Sequence, residues 1–183
     1  MAITDADLVV ETGTGSTTAN TYISRADATA YHTIRGNEAW ADSDENDQCI
    51  ALVRATQYID ERWVFQSKTL VTGQALQFPR FALYDRNGTN VAGTVPQEIK
   101  DAACEYALQV LGDGTGIVSL SPTPDQTDPR AITYLREKVG SLESETRYDS
   151  SNGLRTQVSY PTADRIVSKS RFVANGGGGG VIR

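Results

Sequence analysis

The side chains that could do chemistry are few and scattered. His32 is the single histidine of the chain. A lone histidine without a placed serine or cysteine nucleophile is more often a surface or boundary residue than a general base, and no motif supplies such a nucleophile, so His32 is expected to be a surface or boundary residue. Cys49 and Cys104 sit inside helix-like segments with no metal-ligand spacing around them, and read as small core residues. Glu143 and Glu145 in "LESE" offer two carboxylates, but at a spacing of two on a strand they face one side and make a solvated edge. The fragments "TGTGST" and "QSKT" lack the lysine or the glycines that aim backbone donors at a phosphate. No catalytic residue, cofactor or metal is therefore expected.

Aromatic and basic residues interleave more suggestively. Trp40, Trp63, Phe65, Phe78, Phe81 and Tyr84 alternate with Arg54, Arg62, Lys68, Arg80 and Arg86, the mixture a single-strand groove uses to stack bases and neutralise phosphates. The competing reading has Trp63 and Phe65 closing the core at the end of a helix, with "FPRFALY" packed as a loop against it. Charge favours that second reading. The net charge is -6 over 183 residues; after Asp164 the chain has four cations and no acid, which leaves the first 164 residues at -10. An acidic body opposes phosphate binding.

The elements that position these residues follow from periodicity. "ADLVVETG" (6–13) predicts a short strand. Ser24 with Asp27 forms a capping start, Ala26, Ala30, Tyr31 and Ile34 recur at helical spacing, and Gly36 ends a helix over 25–35. "DENDQCIALVRATQYIDERW" carries Cys49, Leu52, Val53, Thr56, Ile59 and Trp63 on one stripe. Residues 65–96 have no sustained period and read as a long ordered loop of functional or interface-forming type. Pro96 is placed as a first helical residue, and Ile99, Ala102, Ala103, Tyr106 and Val110 stripe a helix over 96–111. Residues 113–130 have linker composition, 136–148 read as extended, and "TADRIVSKSRF" as a short helix before Gly176–Gly180. The expected fold is mainly α: a bundle of three to four helices with long loops, a short β element and an extended C-terminal arm. Residues 1–148 are expected to form the main domain and 149–183 a C-terminal segment. Short apolar runs and an acidic N-terminus give no membrane span or signal peptide, which points to the cytoplasm.

The succession of "ANTYIS", "RATQYID" with its following aromatic pair, "LQFPR" and "VPQEIKDA" resembles the head-tail connector (adaptor, head-completion) proteins of tailed bacteriophages, including relatives labelled DnaT-like. It covers residues 19–148. The resemblance implies a structural protein of the virion neck without an active site, assembling in the host cytoplasm as a ring of about twelve copies beneath the portal protein, with DNA passing through its lumen and a tail or neck protein docking below. On that view Phe78, Phe81 and Tyr84 bury against a neighbouring subunit or the portal, and the terminal arm with Arg171, Val181, Ile182 and Arg183 docks on a partner. The alternative is a single-stranded DNA-binding replication protein.

Overall fold

The computed structural model describes residues 2–112, 117, 118, 120, 132–138, 143–148 and 159–174. The chain divides into two compact units, Met1–Leu120 with Tyr160–Arg183, and Ser121–Ser159. The fold is mainly helical, as the stripes predict.

In the first unit, α1 spans Arg25–Arg35. The Ser24 hydroxyl oxygen accepts the Asp27 N–H at 3.1 Å and Gly36 ends the helix in the left-handed conformation, both legible in the sequence. A four-residue helix, α2, follows at Glu38–Ala41 and anchors itself through the buried Trp40. Next, α3 (Glu45–Arg62) is capped by Asp44, whose carboxylate accepts the Asp47 N–H at 2.8 Å. Pro96 is the cap of α4 (Gln97–Leu111) and not its first residue, so the helix begins one position later than expected. Cys49, Leu52, Ala55 and Ile59 of α3 and Ile99, Ala103, Tyr106 and Val110 of α4 are fully buried, and the two helices pack together. Each large apolar side chain so enclosed contributes about 1.5–3 kcal/mol. A last helix, α5 (Pro161–Lys169), packs on α4. Its Asp164 accepts the Tyr106 hydroxyl at 2.5 Å and pairs with Arg62 at 2.8 Å, so one carboxylate ties α5 to both α3 and α4.

No strand forms over 6–13. Asp5–Asp7 make a 3-10 turn, and Val10 contributes a single bridge to Thr21. The cause is Glu11, which is buried, its carboxylate accepting the N–H groups of Gly13, Thr14 and Ser16 at 2.8 Å and of Gly15 at 3.1 Å. Four donors converging on one side chain curl the backbone away from an extended ladder. Gly13, at φ 102°, has no alternative there: a Cβ would come within 2.5 Å of the Gly93 carbonyl oxygen.

His32 is likewise not a boundary residue. It is fully buried, its ring stacked 4.4 Å from Trp40, with the Asn37 amide 2.9 Å from Nδ1. Burial, with Arg35 adding, holds the imidazole down at about 4. Asp60 of α3 moves the other way, raised to about 6 by burial against the pull of the Tyr22 hydroxyl, the Gln77 N–H and Arg80. The signs are opposite. His32 favours the fold above its unfolded value and loses that support as pH falls from about 6.5 towards 4, whereas Asp60 favours the fold at low pH and loses support as pH rises from about 4 towards 6. The two slopes offset one another in the wild type. Asp60→Asn removes one of them, so the unfolding free energy from urea titrations should fall more steeply on acidification in the variant, by up to about 3 kcal/mol between neutral pH and pH 4; parallel profiles would show that Asp60 is not the opposing group.

In the second unit, β1 (Ile132–Lys138) and β2 (Glu143–Tyr148) form an antiparallel pair, with Arg136 opposite Glu145 and Lys138 opposite Glu143. The extended reading over 136–148 is thus two strands, the first starting at 132. The arm expected over the glycine run lies outside the described residues.

Candidate nucleic-acid interface

The chain leaves α3 in extended form, and alternation sorts its side chains: Trp63 and Phe65 point into the core while Val64 and Gln66 face outward. This segment is paired with the chain that follows α5. Phe65 bridges Val173 antiparallel, the Gln66 N–H donates to the Phe172 carbonyl at 2.7 Å, and the Ala174 N–H donates to Val64 at 2.8 Å. On its other side, Thr69 bridges Arg80 and the Phe81 N–H donates to the Lys68 carbonyl at 2.9 Å.

Arg80 locks this arrangement from beneath. Its guanidinium is buried, with Nε donating to the Gln66 carbonyl at 2.7 Å. One terminal nitrogen donates to the Gln77 carbonyl and side-chain oxygens at 2.9 Å, the other to the carbonyls of Phe65 at 3.2 Å and Ser67 at 2.5 Å. A planar fork meets this set of acceptors where an ammonium group could not. Beside it, Asp60 accepts the Tyr22 hydroxyl and the Gln77 N–H, so the loop is fastened to α3 as well.

What this frame displays is aromatic and basic. Phe81 and Tyr84 are 53% and 55% exposed, unusual for large rings in so well-fastened a loop. The Lys68 ammonium lies 5.3 Å from the Phe81 ring centroid, a cation–π contact that keeps a positive charge beside an open ring. Tyr84 bridges Asn90 across a tight turn in which the Asp85 carboxylate accepts the N–H groups of Asn87 and Thr89, leaving Arg86 exposed at the tip. Among the described residues, Ser67, Ala82 and Arg171 are the non-glycine residues at positive φ (64°, 47° and 65°). They adjoin Lys68, Phe81 and Phe172 respectively. Each such residue costs about 1–2 kcal/mol, and strain of this kind collects where a surface is held in a required shape.

The structure separates the sequence candidates. Phe78 is fully buried in its own chain, edge-on to Tyr22, Phe65 and Phe172, so it is a core residue and not an interface one. Trp63 and Phe65 are also core, as the packing reading predicts, and so is Trp40, which that reading did not include, while Arg62 and Arg80 are consumed by internal partners. Phe81 and Tyr84 remain outside, with Lys68, Arg86 and Arg171. Val181, Ile182 and Arg183 lie outside the described residues. Sequence reasoning missed the role of Arg80 and the left-handed residues, for which nothing in the local sequence gives a signal. Charge is local too: residues 64–95 carry Lys68, Arg80 and Arg86 against Asp85 alone, a positive loop on a body whose total is negative.

No curated protein and no solved structure matches the chain. Residues 6–183 match the model of the family described as "Putative DnaT-like ssDNA binding protein". That match overturns the expectation of a phage head-tail connector and, with it, the virion ring, portal and neck roles. Short striped helices and long loops, the features that carried the resemblance, are common to many small α domains and do not discriminate between the two. The match takes in the 64–95 loop, α5 and the residues paired with them, and by it the chain belongs to the DnaT-like family.

Proposed function

We propose that the protein binds single-stranded DNA on the loop between α3 and α4, stacking unpaired bases on Phe81 and Tyr84 while Lys68 and Arg86 neutralise adjacent phosphates. The observation that carries this reading is two half-exposed rings on a rigidly fastened, positively charged loop in a chain of this family. Stacking on an aromatic side chain contributes about 1–3 kcal/mol per base and tolerates any sequence, because every base has a π-face. A duplex keeps its bases stacked on each other and cannot use such rings.

The acidic total does not oppose this. At physiological ionic strength charges are screened over about 8 Å, so a phosphate on the loop senses Lys68 and Arg86 far more than the outer faces of the helices. Binding is passive in this proposal, without catalysis, and takes place in the cytoplasm; the two free, buried thiols, Cys49 and Cys104, suit a reducing compartment. Equilibrium titration with labelled oligothymidylate, in parallel with a duplex of the same length, tests it.

A further inference from the structure

The loop is not the whole of the basic surface. Phe65 and Val173 are bridged antiparallel, with the Gln66 N–H on the Phe172 carbonyl; Arg171 immediately precedes Phe172 in this pairing, and Ser67 and Lys68 immediately follow Gln66. Arg171 and Ser67 both have left-handed backbones, and Arg171 is exposed. It is preceded by Arg165 and Lys169, four residues apart on α5 and so on one face, both exposed, while Ala163 and Val167 turn inward. The one carboxylate within residues 159–174, Asp164, is held by Arg62 and Tyr106. Nothing in this segment offsets the three cations.

We propose that Arg171, Lys169 and Arg165 form a phosphate track that continues the Lys68–Phe81 site onto α5, so that a single strand stacked on the loop runs along this helix. The inference rests on the single-strand reading above and extends it: the loop holds bases, and α5 holds backbone. Strand length then decides which part is engaged. An oligothymidylate of about four nucleotides reaches only the rings, whereas one of about fifteen also reaches the track.

The test uses the full chain with Arg165→Gln, Lys169→Gln and Arg171→Asn together, asparagine being chosen because it accepts the left-handed backbone; a companion variant, Arg171→Lys, keeps the charge. Each is checked for an unchanged thermal midpoint. For the longer oligonucleotide, the slope of log K against log salt should fall in magnitude by about 2 in the triple variant, three phosphates at roughly 0.7 each. Binding of the short one should be unchanged, and Arg171→Lys should behave as wild type. A wild-type slope in the folded triple variant overturns the track and leaves the loop reading standing; an equal loss for both lengths overturns it also. Wild-type protein that binds neither oligonucleotide overturns the DNA reading itself, and the track with it.

Discussion

Replacing Arg80 by methionine is expected to lower stability by about 3–5 kcal/mol and to abolish DNA binding in whatever remains folded. The substitution keeps most of the aliphatic volume but removes every donor from the carbonyls of Phe65, Gln66, Ser67 and Gln77. Orphaned acceptors of this kind cost about 1–3 kcal/mol each where water cannot reach them, and some will be partly rewetted. Arg80→Lys should rescue little, since three donors on a flexible stem cannot reach acceptors arranged for a planar fork. In a domain of this size the methionine variant should melt about 10 °C or more below wild type. Urea unfolding read by tryptophan fluorescence, which Trp63 reports from the adjoining segment, measures it; a loss below about 1 kcal/mol would mean that the loop does not depend on Arg80.

The second large effect is on affinity and spares the fold. Phe81→Ala with Tyr84→Ala removes two rings that are each more than half exposed, so the change in stability should stay within about 0.5 kcal/mol, as for surface sites generally. If each ring stacks one base, the double variant loses about 2 kcal/mol or more of binding energy, at least roughly 30-fold in affinity, while its salt slope stays that of wild type. Phe81→Trp should retain binding or improve it. The same dissociation constant in the double variant as in wild type would remove both rings from the site.

These two expectations mark where the sequence is informative and where it is not. The helices were legible because local signals and burial agree: Ser24, Asp27 and Gly36 bound α1, and the Ile99–Val110 stripe is the buried face of α4. α2 was not, because four residues are too few to show a period. The strand expected at 6–13 failed because Glu11, one carboxylate in a β-rich run, captures four backbone donors. In the 65–96 loop, Phe78 and Phe81 look alike in sequence. Their fates are decided by Arg80 between them and by Phe172, close to a hundred positions away, which packs edge-on to Phe78 while Phe81 stays open. No local pattern carries that information. Net charge carries no local information either, since the -10 of the first 164 residues includes a positive loop, and phosphates respond to local charge.

The measurement that bears most directly on the central claim is an equilibrium titration of the wild-type chain with fluorescently labelled oligothymidylate at several salt concentrations, beside a duplex of equal length. Two phosphates held by Lys68 and Arg86 predict a slope of log K against log salt of at least about -1.4 in magnitude, steeper where further cations engage, and single-strand binding at least tenfold tighter than duplex binding. Absence of binding at physiological salt, or equal affinity for the two forms, would contradict the assignment of Phe81 and Tyr84 as base-stacking residues.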